Sequence, residues 1–214
     1  IDLGVGTNVI GGTGIVLNGG SSALVITTTG DSVRLNGAVT LASDLAISTD
    51  GGTITFTANS PIDSASNEHN NLTLNAGTAS IGFNANIGAT QSIGALIVTQ
   101  ADSGVIFGES DTNTGAGGTG PVTLIATTDL IDLGVGTNVI GGAGIVLNGG
   151  AAELKLQTTS DRIRLNGTVT LDSNVRIDSD ATTDDTGGAE IFFTANTPIV
   201  SADAEFNNLT LDAG

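Results

Sequence analysis

The sequence predicts an all-β chain wound as a parallel β-helix, a solenoid of about ten coils of roughly 22 residues each. Three observations carry this expectation. The text IDLGVGTNVIGGTGIVLNGG at residues 1–20 returns at residues 131–150 with one change, Thr13 becoming Ala143. The composition suits strands and turns: the apolar residues are almost all Val, Ile, Leu and Ala, with 6 Phe and no Trp, Tyr, Met or Cys. Most of the remainder is Thr, Ser, Asn, Asp and Gly, and helix formers are scarce, so almost no helix is expected. Short apolar-x-apolar runs followed by turns recur throughout, with the alternation of half-buried strands.

Downstream text also returns. SVRLNGAVTLASDLAISTD (32–50) is matched by RIRLNGTVTLDSNVRIDSD (162–180), and TFTANSPI (55–62) by FFTANTPI (192–199). The unit is therefore 130 residues long, with the large repeat at 1–130 and a partial second copy at 131–214. The chain is expected to be one continuous segment, a window from a longer tandem array.

Taken in order, the anchoring strands are 15–17, 33–35, 54–56, 72–74, 96–98 and 122–124, then 145–147, 163–165, 191–193 and 209–211. Further short strands at 39–41 and 45–47 suggest three per coil. One coil cannot bury its inner face alone, but stacking at ~4.8 Å makes a continuous core and a rod roughly 48 Å long. Stacked this way, Leu17, Leu35, Phe56, Leu74, Val98 and Leu124 form one inward column. Val16, Arg34, Thr55, Thr73, Ile97 and Thr123 form an outward one, continued by Val146, Arg164, Phe192 and Thr210, and its apolar members suggest a covered face. Asn18, Asn36, Asn75, Asn148 and Asn166 each follow a strand, where Asn tolerates the turn and its amide can bond from coil to coil.

The run GGTITFTANSPIDSASNEHNNLTLNAGTASIGFNANIGATQSIGALIVTQA (51–101), with its TFTAN, NNLTLNAG, IGFNANIG and LIVT elements, resembles the repeats of filamentous-haemagglutinin-type adhesins and related giant bacterial surface proteins. The resemblance covers part of the second copy again at 187–214. It implies a right-handed parallel β-helix, export to the bacterial cell surface or medium, and adhesive or structural work. It supplies no catalytic residue.

A net charge of −17, from 22 acidic and 5 basic residues, repels nucleic acid and anionic lipid. No apolar run approaches the ~18 residues of a spanning helix, so membrane insertion by this segment is not expected. The absence of cysteine removes disulfides and thiolate metal sites from consideration. Expected partners are neighbouring repeats or copies of itself, end to end or lateral, and host-cell or matrix glycans or proteins.

No catalytic residues are expected. Polysaccharide-active β-helices need clustered carboxylates, usually beside sugar-binding aromatic rings, and this chain has no Tyr or Trp. Arg34 with Asp31 or Asp50, and Arg164 with Asp161 or Asp180, read as ordinary surface ion pairs. His69 reads as a solvated loop residue whose counterpart is Phe206. No Ser lies in a Gly-x-Ser-x-Gly elbow, and the glycines of GVGTNVIGGTG lack phosphate-loop spacing. They suit tight corners instead. The sequons at Asn71 and Asn208 lead straight into strands, and the mixed outward column does not provide the regular Thr array of an ice-binding face.

Two acidic loops are calcium candidates, since hard cations take clustered oxygen ligands. One comprises Asp178, Asp180, Asp184 and Asp185, where the second copy carries extra residues; the other comprises Asp111 and Asn113. The reading that follows is a non-catalytic structural or adhesive segment of a long extracellular fibre. The rivals are a filament or sheath subunit that stacks end to end and a polysaccharide-active enzyme.

Overall fold

A computed structural model describes residues 1–108, 123–126, 130–180, 188–202 and 206–214. Among these residues there is no helix, and twenty-two strands appear. The first nine are β1 (Asp2–Leu3), β2 (Ile10–Leu17), β3 (Leu24–Thr27), β4 (Val33–Leu35), β5 (Gly37–Leu41), β6 (Leu45–Ser48), β7 (Ile54–Phe56), β8 (Ile62–Ser64) and β9 (Leu72–Gly77). Next come β10 (Ser80–Phe83), β11 (Leu96–Ala101), β12 (Gly104–Phe107) and β13 (Thr123–Ala126). The second copy supplies β14 (Ile131–Leu133), β15 (Ile140–Leu147), β16 (Leu154–Thr158), β17 (Ile163–Leu165), β18 (Gly167–Leu171), β19 (Val175–Asp178), β20 (Ile191–Phe193), β21 (Ile199–Ser201) and β22 (Leu209–Asp212).

All paired strands run parallel, and they stack into three faces. The first is an eight-stranded sheet, β1-β4-β7-β10-β12-β15-β18-β21. The second has seven strands, β3-β6-β9-β11-β14-β17-β20. The third begins as β2-β5-β8 and resumes as β13-β16-β19-β22, joined by single bridges from Ile87 to Ile62 and to Leu124. The architecture is thus a β-solenoid, as the alternation in the sequence implies: in β5 and β18 residues 1, 3 and 5 are buried while the second is exposed.

The core is a single cluster of aliphatic side chains with an aromatic column through it. Phe56, Phe83 and Phe107 lie on adjacent rungs of the eight-stranded sheet, with ring centroids 5.4 and 5.1 Å apart and planes tilted by only 7° and 17°. Each stack contributes about 0.5–1.5 kcal/mol beyond area burial.

Register corrects the expected single column. Leu35 stacks on Phe56 and Phe56 on Phe83, but Leu17 stacks on Leu41 on the third face, and Leu74 on Val98 on the second. The outward column divides likewise: Arg34 follows Asp2, Val16 meets Thr40, and Ile97 lies between Thr73 and Asp132. Nor is the spacing close to uniform. Val33 pairs with Ile54, 21 residues on, whereas Val105 pairs with Ile145, 40 residues on. An apolar-x-apolar strand looks the same on any face, so sequence spacing mixed strands from different sheets.

The two copies do not occupy the same faces. β1, β4 and β7 lie in the eight-stranded sheet, while their counterparts β14, β17 and β20 lie in the seven-stranded one. β2, β5 and β8 belong to the third face, and their counterparts β15, β18 and β21 belong to the eight-stranded sheet. β3, β6 and β9 likewise give way to β16, β19 and β22 on the third face.

Candidate functional site

One group of residues that recurs in both copies converges on a polar corner. It begins with the loop after β1, where Gly4 has φ +97° and a Cβ would stand 2.6 Å from the Asn8 carbonyl and 2.7 Å from that of Asn36. Only glycine tolerates both the conformation and the approach. The loop leaves carbonyls pointing at the next coil, and Arg34 caps them. Its guanidinium donates to Gly4 O at 2.7 Å and Gly6 O at 3.1 Å, and pairs with Asp2 at 3.1 Å. Asn36 adds bonds to Gly4 O at 3.2 Å and Asn8 O at 3.0 Å. Arg34 is an outward residue of β4, yet it is buried because this loop lies over it.

A third coil completes the corner. The Asn36 side-chain oxygen accepts from Thr57 Oγ1 at 2.9 Å and Asn59 Nδ2 at 3.1 Å, while Ser60 Oγ donates to Leu35 O at 2.6 Å. The three returning texts, IDLGVGTN, RLNG and TFTANSP, are therefore one hydrogen-bonded unit spread over consecutive coils.

The second copy rebuilds this corner between different sheets. Arg164 pairs with Asp132 at 2.8 Å and donates to the carbonyls of Gly134 and Gly136. Asn166 donates to Gly134 O and Asn138 O, and accepts from Thr194 and Asn196. Thr197 takes the place of Ser60 on Leu165 O. One contrast stands out: the Asp2 side chain is 41% exposed, whereas that of Asp132 is 9% exposed. Asp132 also has Arg162 at 4.0 Å.

These pairings correct the expected partners of Arg34 and Arg164, which are Asp2 and Asp132 in the preceding coil rather than acids close in sequence. The pairs span 32 residues. The signal was present, because Asp2 and Arg34 return together as Asp132 and Arg164. The asparagines also divide by role. Asn36 and Asn166 bond between coils, but the side-chain oxygens of Asn18 and Asn75 close their own turns on Gly20 N and Gly77 N. Asn148 does both, accepting from Gly150 N and donating to Asp172.

The other candidates remain separate. His69 Nδ1 lies 3.3 Å from both the carbonyl and the hydroxyl of Ser92. Its role there follows the imidazole tautomer: a protonated Nδ1 donates to the carbonyl, and an unprotonated one accepts from the hydroxyl. Phe206, its counterpart, is 97% exposed. Asp178 is held by Arg176 at 3.1 Å and accepts from Asp180 N, so its carboxylate already faces a cation. Asp184, Asp185, Asp111 and Asn113 lie outside the described residues. Among the described residues no three acidic or imidazole side chains gather around a common point, and no helix is long and apolar enough to cross a membrane.

A shallow groove of about 230 Å³ opens between the turns after β2, β5 and β8, lined by Ser21, Ser22, Ser43, Asp44, Glu68 and Asn70 among others. Its polar groups largely serve those turns: Ser43 Oγ accepts from Gly19 N, Asp44 from Asn71 N, and Glu68 from Asn70. No family model, curated protein or solved structure matches the chain.

Proposed function

We propose that this chain is a rod segment of a long, repetitive extracellular fibre of the bacterial adhesin type, non-catalytic, and wound right-handed about its axis. The observation that carries this reading is the corner built from Asp2, Arg34 and Asn36 and rebuilt from Asp132, Arg164 and Asn166. The residues that return at the unit spacing hold coil to coil, and both corners spend their polar groups on structure. The fixed chirality of crossovers between parallel strands supports the right hand. The two copies support a tandem array.

In this reading the work is mechanical. Sheets whose backbone groups are paired along the axis resist bending and proteolysis, and the number of units sets how far a tip or loop reaches. The cell-surface setting and the choice of glycan or protein partner rest on the resemblance of residues 51–101 to adhesin repeats. Calcium at the acidic loops belongs to the same reading and would brace them against their own charge.

Electron microscopy of native material labelled with antibody against residues 1–214 is the test. Labelled fibres at the cell surface or in the medium are the expected result, while label confined to short cytoplasmic particles would sink the reading. Release of reducing ends from polysaccharide by the purified chain would sink its non-catalytic part.

A further inference from the structure

We propose that the 130-residue unit is a screw element: each recurrence turns its whole surface by one third of a revolution, so that a tandem array presents any unit-borne interaction surface on all three sides of the rod. The inference rests on the preceding reading only in supposing that units recur in tandem. The turn itself is carried by the register within this chain.

All nine strands of the second copy have changed sheets in the same sense, with no exception. The cause is the number of strand positions in the unit. From β1 to β14 the chain makes fourteen steps around the three faces when the bridged position at Ile87 is included, and fourteen is not a multiple of three. The unit therefore closes about 4⅔ coils, an advance of about 22 Å at the ~4.8 Å strand spacing. The join shows the step directly. β14 settles on β11 of the seven-stranded sheet, and β15 settles on β12 of the eight-stranded one.

Nothing in the corner opposes this turn, because its hydrogen bonds connect consecutive coils and refer to no particular face. The surface is carried around with it. Val16, Thr40 and Asp63 face outward on the third face, while their counterparts Val146, Thr170 and Val200 face outward on the eight-stranded sheet. Val25 and Ala46 on the seven-stranded sheet become Lys155 and Arg176 on the third face.

The consequence concerns partners. A rigid neighbour lying along one side, such as a second rod, meets the same unit surface only every third unit, about 67 Å apart at that strand spacing. A compact soluble partner meets a copy on every side, so many can bind one rod without competing for a single edge. Simultaneous engagement by a linked, bivalent partner requires a linker that spans either that axial distance or the turn around the rod.

Cysteine pairs in the 214-residue chain, which has no native cysteine, test the turn. Neighbouring outward positions on adjacent rungs suit disulfide geometry. Ile106→Cys with Val146→Cys, and Ile125→Cys with Gln157→Cys, join the two copies across register neighbours and should oxidise to disulfides in high yield, read by intact mass. Thr73→Cys with Ile97→Cys, within the first copy, is the folding control. Without a turn, β15 would lie over β13, and Ile125→Cys with Val146→Cys would close instead. That result, or failure of both join pairs while the control closes, would overturn the proposal. Fibre microscopy reads the functional proposal separately, since a turned unit can exist in a protein that forms no fibre.

Discussion

The corner at Asp2, Arg34 and Asn36 and the corner at Asp132, Arg164 and Asn166 make the same hydrogen bonds, yet they sit between different pairs of sheets and differ in burial. In the first, Asp2 is 41% exposed and shares its charge with water; in the second, Asp132 is 9% exposed and depends on Arg164. The comparison separates two kinds of constraint. The corner residues that bond between coils are retained wherever the unit comes to lie, because their partners travel with them. Outward apolar residues with no such partner have changed at some positions, Val25 to Lys155 and Ala46 to Arg176.

The largest expected effect tests the difference in burial. Arg164→Leu leaves the Asp132 carboxylate buried without its closest cation and should cost about 3–5 kcal/mol, while Arg34→Leu should cost distinctly less because Asp2 can hydrate. Urea unfolding midpoints of the two variants decide it, and equal shifts would remove the distinction between the corners. Next in size, Asn36→Ala and Asn166→Ala each strip the side-chain donor from one loop carbonyl, that of Asn8 or Asn138, while Gly4 and Gly134 keep their arginine, and each should cost about 1–3 kcal/mol. Here the corners should agree, so unequal losses in the same assay would show that they are not the same device.

A smaller effect sharpens the electrostatic side. Asp2→Asn removes the more exposed acid and should cost no more than about 1 kcal/mol. Asp132→Asn should cost more, with its deficit surviving at 0.5 M salt because a buried pair is weakly screened. At the lower limit, Ala46→Arg, which gives the first copy the residue of the second, should shift the midpoint by no more than about 0.5 kcal/mol. A larger shift would mean that the outward face is under structural constraint after all.

Much of the architecture was legible in the text. The repeat, the absence of helix among the described residues, the short strands and the division of residues into inward and outward positions all follow from patterns a few residues long. Val33, Leu35, Ile54 and Phe56 are inward as the alternation implies. The columns were not legible, because the corners vary in length and shift a strand to a neighbouring face without altering its own pattern. Phe83 and Phe107, which continue the ring stack from Phe56, were missed for that reason. The corner was half legible: its glycines and asparagines read as turn residues, but Asp2 is 32 residues from Arg34, and the acids nearer in sequence are Asp31 and Asp50.

By itself, then, the sequence determined the unit, its length, the strands and which side of each strand is buried, since these depend on local propensity and period-two alternation. Only the tertiary structure decided which strand lies on which, which acid meets which arginine, and that the second copy stands turned from the first. Those outcomes depend on hydrogen bonds and packing between residues 21 to 40 positions apart, and on the sum of corner lengths around each coil, which no single stretch of the chain encodes.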